Sequence, residues 1–416
     1  MTLMKNDNCP QALFEQVVYL TRQEQGLSNV LNNETYNRKF DENVKSFISS
    51  FSSALMAQPG AKRFPDLVAL AFWMRKSNIH KLEQEFKQGN DYRVPVGRVL
   101  HFAPSNVDTI FIYSLFLSLL VGNANVVRVS EKSTEQQKLL ISLINAELDK
   151  PEFSFIKDYL TIITYPHSDS LSAELCSKID MRVIWGGDET VRKITSFPIS
   201  PGATELKFSN KYSLCLMDPA KLESLDPSSY NELVKKFVND TYWFGQQGCS
   251  SPRTVIWVSP TNYDEQIERF WNAVAEQAQD MFADDIVAAD IMNRIVAMQL
   301  AAVSKVGLKV RNDGKMLSRV TITDINRHNS LREIHCGSGL FFEISVDQLS
   351  TLRPMFDRKV QTVSYFGFDA NSLRDSMIEA CLFPDRVVPI GTALDFSNKW
   401  DGFDLLNNLT RIVDFK

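Results

Sequence analysis

One cysteine in a polar turn is the side chain in this sequence that is best placed for covalent chemistry. Cys249 follows Gly248 in the segment FGQQGCSSPR, residues 244–253. Apolar residues recur at short intervals before this segment, which predicts an amphipathic helix, and residues 254–258 are typical of a strand. The helix is indicated by Leu233, Phe237, Val238, Thr241 and Tyr242. A thiol between a helix end and a strand is open to a substrate carbonyl, and cysteine forms covalent acyl intermediates. Cys249 is therefore our candidate nucleophile.

A buried structural cysteine is the alternative interpretation of Cys249, and burial is the commoner fate of a free cysteine. The flanking residues are polar, which argues against burial here: Gln246, Gln247, Ser250 and Ser251. Only the thiolate is a good nucleophile. No histidine lies near Cys249 along the chain, so we expect activation from backbone N–H groups or from groups distant in sequence. Cys215 is the next candidate if Cys249 is inert.

The composition of the chain excludes several classes of protein. Its 416 residues are enough for two or three domains with buried cores. Lysine and arginine number 45 against 50 aspartate and glutamate residues, a net charge of −5, so no global basic field favours nucleic acid. The six cysteines are scattered without CxxC pairs. This pattern fits neither a disulfide framework nor a zinc site, so we expect no metal and a reducing, cytoplasmic location.

Neither export nor a membrane span is predicted. The first residues, MTLMKNDNCPQ, are polar and lack the apolar core of a signal peptide. The longest apolar run covers residues 109–121. It is shorter than the roughly 20 residues that span a bilayer, so it is interpreted as a buried helix.

Alternating strands and helices predict an α/β fold with a parallel sheet. Residues 1 to about 90 are helical in pattern and carry no recognisable chemistry. After them, strand patterns alternate with helix patterns, as expected for a doubly wound sheet that binds ligands at the carboxyl ends of its strands. The predicted strands are 98–102, 125–129, 160–165 and 182–185, and the predicted helices include 170–177 and one beginning near Thr190.

Two short polar segments follow these strands. Ser130, Ser133 and Thr134 are candidate helix caps after the second strand. Gly186 and Gly187 follow the last one, where glycines and a helix N-terminus could cradle a phosphate. A tight strand-to-helix turn is the commoner explanation of Gly-Gly, and the complete GxGxxG fingerprint does not occur.

The order of these segments resembles the aldehyde dehydrogenase superfamily, and within it the bioluminescence-type long-chain acyl-CoA reductases, the LuxC family. The resemblance begins near residue 92 and extends to the C-terminus. The segment RVPVGRVLHFAPSNV resembles the superfamily's Pro-x-Asn segment, which would make Asn106 the side-chain oxyanion donor. FGQQGCSSPR resembles the cysteine loop and gives Cys249 the place of the nucleophile. The tail is the most specific match: QTVSYFG at 361–367 and the segment 385–415.

The resemblance also implies a cofactor site. GNANVVRVSEKS is similar to a cofactor-binding segment, with Arg128 where the family commonly has lysine, followed by Ser130 and Glu131. WGGDETV is similar to the phosphate turn and places Gly186 and Gly187 there. A carboxylate such as Glu131 favours NADH by binding a ribose hydroxyl. Because Arg128 and Lys132 favour a 2′-phosphate and the family implies NADPH, we expect NADPH to be preferred, with NADH also used.

One departure from the superfamily concerns the base that hydrolytic members use to activate water. The family's lysine after that glutamate corresponds to Lys211, and Lys207 stands four residues before it in place of the glutamate. Glu205 is displaced by two positions. Without the base, an acyl-enzyme is discharged poorly by water. Two roles are open for His101: proton transfer to a departing CoA, or a structural hydrogen bond in the strand, which is the commoner.

These inferences predict an aldehyde dehydrogenase-like α/β fold with a doubly wound cofactor-binding domain and an α/β catalytic domain. The expected divisions are a helical region at 1–90, a nicotinamide domain at 91–212, a catalytic domain at 213–395, and a tail strand at 396–416 for oligomerisation or return to the first domain. The expected activity is reduction of a fatty acyl thioester to an aldehyde. Acyl-phosphate reduction and a non-catalytic acyl-carrying scaffold are the alternatives.

The same reasoning predicts the partners. The acyl donor would be an acyl-CoA or an acyl-protein, and an acyl-protein ligase is a candidate partner. We also expect a homo-oligomer.

Overall fold

The computed structural model describes residues 14–23, 25–61, 64–89, 91–104, 107–259, 261–304 and 309–416. They form two compact units. The first takes the described residues up to Ser209 together with Phe396–Lys416, and the second is Asn210–Asp395.

The first unit is built on a mainly parallel sheet. Its six strands have the order β1-β5-β4-β3-β6-β7, and β1 alone in that order pairs antiparallel, on β5. The predicted alternation of strands and helices in this region is confirmed. The first seven strands are β1 Val18–Tyr19, β2 Arg93–Pro95, β3 Arg98–Phe102, β4 Ala124–Arg128, β5 Leu160–Thr164, β6 Met181–Trp185 and β7 Thr204–Phe208.

Helices cover both faces of this sheet, as the doubly wound prediction requires. Alternate residues of a strand point to opposite faces of the sheet. Val127 packs in a hydrophobic core formed with the longer helices, and Val126 packs in a second core formed with the shorter helices. The helices are α1 Gly26–Leu31, α2 Glu42–Met56, α3 Pro65–Trp73, α4 Lys76–Lys87, α5 Thr109–Leu120, α6 Glu135–Leu148, α7 Asp169–Ser177 and α8 Asp188–Thr195, with a 3-10 helix at Pro151–Asp158.

Helix α5 is the long apolar run found in the sequence. All of its residues are buried, and its aromatic side chains pack against α2 and α3. The interpretation of this run as a buried helix is confirmed. Among the described residues, no helix combines the length and the apolar character needed to cross a membrane.

The second unit contains a seven-stranded sheet with the order β10-β11-β12-β9-β8-β13-β14. Neighbouring strands are parallel except β10, which pairs antiparallel with β11. The strands are β8 Tyr212–Met217, β9 Pro252–Val258, β10 Lys309–Asn312, β11 Ser318–Thr321, β12 Leu340–Val346, β13 Val360–Phe366 and β14 Arg386–Pro389. This order places β9, which directly follows the cysteine segment, beside β8, and places β8 beside β13.

Helices pack on both sides of the second sheet, in two hydrophobic clusters. The α-helices are α9 Pro219–Glu223, α10 Pro227–Tyr242, α11 Asp264–Phe282, α12 Ala288–Val303, α13 His328–Leu331 and α14 Ala370–Glu379. The 3-10 helices are Trp243–Gln246, Ile325–Arg327, Arg332–Ile334 and Leu349–Met355. The helix and the strand predicted on either side of Cys249 are therefore confirmed as α10 and β9.

The C-terminal segment belongs to the first unit. It forms a small hairpin of β15 Lys399–Trp400 and β16 Phe403–Asp404, then helix α15 Leu405–Asn408 and strand β17 Thr410–Ile412. β17 pairs antiparallel with β2. The Arg93 side chain on β2 donates a hydrogen bond to the Asn407 carbonyl at 2.9 Å, so side chains as well as backbone hold the tail to the first unit.

Candidate active site

The cysteine segment begins where helix α10 ends. Asp226 caps the N-terminus of α10 by accepting hydrogen bonds from the backbone of Ser228 and Ser229. After the helix, three consecutive residues have left-handed backbone angles: Phe244, Gly245 and Gln246, with φ of 58°, 58° and 62°. This conformation is costly for a residue with a side chain and persists only where surrounding contacts hold it. The turn redirects the chain from α10 into β9.

Those surrounding contacts come mainly from the loop 336–339. The Gln246 side chain accepts a hydrogen bond from the Gly339 backbone at 3.0 Å and donates one to the Pro252 carbonyl at 3.1 Å. Ser338 donates its backbone N–H to the Gly245 carbonyl at 2.8 Å. These bonds join the turn before Cys249 to the loop that leads into β12. The cysteine segment is therefore locked, because hydrogen bonds hold both the turn before it and Pro252 after it.

Most of the polar residues that flank Cys249 are themselves buried, although Cys249 is partly exposed, as their polarity indicated. Gln246, Ser250 and Ser251 are buried, and Gln247 is exposed. Gln246 is buried because its amide completes the hydrogen bonding of backbone groups inside the loop, which removes the cost of taking a polar side chain out of water. Polar residue types therefore mark a loop fixed by hydrogen bonds.

Cys249 itself is only partly buried. Its Sγ accepts a hydrogen bond from Nε2 of Gln361 at 3.3 Å. Its carbonyl oxygen accepts one from the Ser213 hydroxyl at 2.6 Å, and that hydroxyl accepts the backbone N–H of Thr362 at 3.1 Å. The thiol is therefore held at a fixed place, with part of its surface open to solvent.

Cys215 does not offer the same chemistry. It lies in the middle of β8, fully buried, and burial raises the pKa of its thiol to about 12. A thiol that is neither ionised nor accessible is a poor nucleophile. Of the two candidates, the structure favours Cys249.

Two histidines of the second unit are structural. His335 is buried and uses both ring nitrogens on backbone groups: one accepts from the Gly337 N–H at 3.1 Å and the other donates to the Leu340 carbonyl at 2.8 Å. Burial lowers its pKa to about 3, as it does for His328. A neutral His335 therefore fixes the loop that supports the cysteine segment, with no nitrogen left to act as a base.

His101 in the first unit is also structural, which confirms the commoner of its two interpretations. Its ring nitrogens contact the Ser114 hydroxyl at 2.8 Å and the Asn125 side-chain oxygen at 3.0 Å. The ring is fully buried, and burial lowers its pKa to about 4. Asn106, the predicted oxyanion donor, lies outside the described residues.

The predicted cofactor residues of the first unit meet at the carboxyl edge of its sheet. Arg128 is the last residue of β4, and Gly186 follows β6; these strands flank β3 and pair with it. The Arg128 guanidinium lies 5.2 Å from the centre of the Tyr165 ring and donates to the Tyr165 carbonyl at 3.4 Å. The guanidinium is thus directed toward the end of β5, on the side of β4 away from β6.

Ser130 and Glu131 line a cavity of about 280 Å³ together with Arg22 and Lys138. Ser130 does not cap helix α6; its hydroxyl instead accepts the backbone N–H of Lys132 at 3.2 Å. Of the three predicted caps, Thr134 takes this role, and it accepts from the backbone of Gln137 at 3.0 Å. Ser130 and Glu131 are therefore left facing a cavity of mixed charge.

The Gly-Gly turn has the form that close approach of a phosphate requires. Gly187 is the N-cap of α8, and no side chain caps this end of the helix. A Cβ at Gly186 would lie 3.0 Å from a methyl carbon of Thr190, so only glycine fits without displacement. A helix N-terminus that begins at a glycine, which has no side chain to cover the free N–H groups, suits a dinucleotide phosphate. The residues present therefore fit a nicotinamide cofactor.

No metal centre is evident. Within the ranges that the structure describes, three or more histidine, cysteine, aspartate or glutamate side chains are nowhere grouped to hold a metal ion.

Glu205 and Lys207 lie on β7, where Glu205 is committed to an ion pair. Its carboxylate accepts from the buried Arg182 at 2.5 Å and contacts Lys207 at 2.9 Å. Burial alone would raise the pKa of Glu205, but the hydrogen bonds from Arg182 and Lys207 outweigh it and hold the pKa below its usual value. Lys211, in the second unit, pairs instead with Asp385 at 2.6 Å. Glu205 and Lys211 are thus both engaged in ion pairs.

Glu205→Gln is therefore expected to act on stability. It should lower the free energy of unfolding by about 1–3 kcal/mol, because Arg182 loses a charged partner in a buried position. If this protein is acylated on Cys249, the slow hydrolysis of that acyl group by water should proceed at an unchanged rate. Chemical denaturation and release of free fatty acid measure the two effects; a large fall in hydrolysis without loss of stability would restore Glu205 as the base.

Two residues that contact Cys249 could not be identified from the sequence. Gln361 had been noted only as the start of a family-like segment, and Ser213 had not been singled out. Their contacts with Cys249 span 112 and 36 residues of chain. No local periodicity carries such information, although the polar Gln-Thr pair inside an otherwise apolar strand was a usable signal.

Comparison with known proteins agrees with this architecture. The crystal structure of a Mycobacterium tuberculosis aldehyde dehydrogenase complexed with NAD+ superposes with a TM-score of 0.64 at 13% identity, over 93% of this chain and 87% of that one. A likeness at this identity establishes the fold. The predicted aldehyde dehydrogenase-like α/β fold is confirmed.

Sequence relatives carry names of one kind. The long-chain acyl-protein thioester reductase of Aliivibrio fischeri is 21% identical over 327 residues, which cover 76% of this chain and 63% of that protein. The protein of the same name from Vibrio harveyi is 28% identical over 195 residues, 45% of this chain and 38% of that one. The matches thus span less than two thirds of the length of these relatives.

The family model described as acyl-CoA reductase (LuxC) matches residues 28–412. With nearly its whole length matched, the chain belongs to the acyl-CoA reductase (LuxC) family.

Proposed function

We propose that this chain reduces a fatty acyl thioester to the aldehyde through an acyl group held on Cys249, with NADPH as the preferred reductant. The observation that carries the proposal is the state of Cys249: a partly exposed thiol, in a locked loop, whose sulfur accepts a hydrogen bond from Gln361 at 3.3 Å. Family membership supports the reaction class. The names of the relatives, which describe reduction of long-chain acyl-protein thioesters in those proteins, support the thioester substrate.

In the first half of the reaction, the Cys249 thiolate attacks the carbonyl carbon of the donor thioester. A bond forms between Cys249 Sγ and that carbon, the bond to the donor sulfur breaks, and the donor leaves as a thiolate. The locked loop holds the sulfur in one place, which lowers the entropy cost of attack. Asn106 is retained from the sequence as the proposed donor to the oxyanion.

The second half needs a hydride at the acyl carbon, which a reduced nicotinamide would supply when bound. Arg128, Ser130, Glu131, Gly186 and Gly187 are the residues proposed to hold it, through phosphate and ribose contacts. Release of the aldehyde breaks the bond to Cys249 Sγ and returns the thiolate. Hydrolysis is disfavoured because Glu205 is held by Arg182.

Arg128→Ala tests the proposed preference for NADPH. We expect its affinity for NADPH to fall about tenfold and its affinity for NADH to fall by about twofold at most, because a guanidinium contributes most where it binds a phosphate. Titration of the quenching of intrinsic fluorescence by each cofactor measures both affinities without turnover. Equal losses for NADPH and NADH would show that Arg128 binds a part common to the two.

The proposed function is tested by intact-protein mass spectrometry after incubation with acyl-CoAs of several chain lengths, with and without NADPH. We expect one added acyl mass without NADPH, and loss of that mass with release of aldehyde when NADPH is present. A stable acyl mass with no aldehyde in the presence of NADPH would favour the acyl-carrying scaffold. Faster acylation by an acyl phosphate than by any acyl-CoA would favour acyl-phosphate reduction.

A further inference from the structure

An irregularity in the second sheet lies directly beside Cys249. In the pairing of β13 with β8, Val360 is opposite Tyr212 and Val363 is opposite Leu214. Two residues of β13, Gln361 and Thr362, therefore face a single residue of β8, which is the arrangement of a β-bulge. Bulges are uncommon between parallel strands, and those near active sites re-aim a side chain.

The residue opposite this bulge is Ser213. A second shift of register, between β8 and β9, falls at the same residue: Ser213 pairs with Pro252 and Leu214 pairs with Thr254. The Ser213 hydroxyl bridges the two neighbouring strands, since it donates to the Cys249 carbonyl and accepts the Thr362 N–H. The two hydrogen bonds of Ser213 thus hold the backbone of Cys249 next to the bulge of β13.

The bulge presents the amide of Gln361 to the sulfur. The Gln361 side chain is 4% exposed, and its Nε2 donates to Cys249 Sγ at 3.3 Å. The side-chain oxygen Oε1 of Gln361 accepts a long hydrogen bond from the Thr362 hydroxyl at 3.5 Å. An N–H donor to sulfur stabilises the thiolate over the thiol, and this effect is strong where water is largely excluded.

We infer that Gln361 is a catalytic residue whose side-chain amide stabilises the Cys249 thiolate, both as it attacks the thioester and as it leaves the aldehyde. The inference rests on the proposed function for its place in the reaction. The bulge gives the sulfur a neutral amide donor, and this donor performs the stabilising role.

The test measures the pH dependence of iodoacetamide alkylation at Cys249 by peptide mass spectrometry, with no acyl donor or cofactor present. In Gln361→Met, the pH midpoint of alkylation is expected to rise by about one to two pH units, the effect of losing one hydrogen bond to a charged group. The rate at pH 7 should fall about 3- to 10-fold. The fall in alkylation rate is smaller than the fall in the fraction of Cys249 that is ionised, since a less stabilised thiolate is intrinsically more nucleophilic.

Gln361→Glu separates stabilisation from packing. It keeps the size and shape of the side chain but places a carboxylate against the sulfur, so the midpoint should rise at least as far as in Gln361→Met. Exposed Cys381 in the same samples is the internal control, and Gln348→Met, the same substitution at an exposed position, should leave Cys249 unchanged.

An unchanged pH midpoint in a folded Gln361→Met or Gln361→Glu protein would overturn the inference. Because no substrate is used, this outcome is distinct from failure of the proposed function, which would be seen as absence of acylation in the unmodified protein. Circular dichroism and thermal melting establish that each variant is folded.

Discussion

Replacing Cys249 with alanine is expected to abolish both acylation and aldehyde formation, a loss of at least about 10⁴-fold. The physical reason is that the Cys249 sulfur accepts a hydrogen bond from Gln361 in a partly exposed loop. Burial raises the pKa of the Cys215 thiol to about 12 and also raises the pKa of the Cys336 thiol. The fold should persist, because Cys249 lies in a loop held by its neighbours' hydrogen bonds. Intact mass after acyl-CoA treatment and an assay of released aldehyde measure the two losses.

Two variants accompany this experiment. Cys249→Ser should be nearly as inactive as alanine, since a serine hydroxyl is not ionised near neutral pH and is a far weaker nucleophile than a thiolate. Cys381→Ala removes an exposed cysteine and should behave as the unmodified protein. Retained acylation of Cys249→Ala would place the nucleophile elsewhere and would contradict the proposed mechanism.

Gly337→Ala is expected to have the second-largest effect on acylation, although glycine has no side chain that could react. Gly337 has a φ of 77°, and a Cβ there would collide with the Gly245 carbonyl oxygen and the Gln247 side-chain amide. Alanine would therefore force apart the loop 336–339 and the turn before Cys249. We expect a loss of about 2–4 kcal/mol in stability and about 10²-fold in acylation rate, because a displaced nucleophile reacts slowly.

Gly314→Ala is the matched control for this prediction. Gly314 also has a positive φ, 100°, but a Cβ at that position would meet nothing within 4 Å. It should cost about 1–2 kcal/mol from backbone strain alone and leave acylation unchanged. Thermal melting and single-turnover acylation measure both variants. If Gly337→Ala acylated at the rate of Gly314→Ala, the loop 336–339 would have no part in placing Cys249.

The order of strands and helices could be predicted from the sequence because each strand is a short β-branched or apolar run ended by a turn. The strand 98–102 was predicted with its observed bounds, and the strand 125–129 was displaced by one residue. The two-residue strand Val18–Tyr19 was missed because two residues show no period, and its pairing with β5 depends on residues over 140 positions away.

The site could be predicted only where its residues are local to one segment. The Cys249 loop and the Gly186 turn each carry their signal within about ten residues. The contact of Gln361 with Cys249 depends instead on the order of β9, β8 and β13 and on a bulge between two of them. Burial of Gln246 could not be predicted, because residue polarity does not reveal which backbone groups a side chain will satisfy.

The central claim is that an acyl group on Cys249 is discharged by reduction. The most direct measurement starts from this protein after it has been acylated on Cys249 and separated from excess acyl donor. NADPH is then added, and the reaction is quenched at successive times. The acyl mass on the peptide that contains Cys249 should disappear together with the appearance of one equivalent each of fatty aldehyde and oxidised cofactor. Persistence of the acyl group, or its release as the free fatty acid without oxidation of NADPH, would contradict the account.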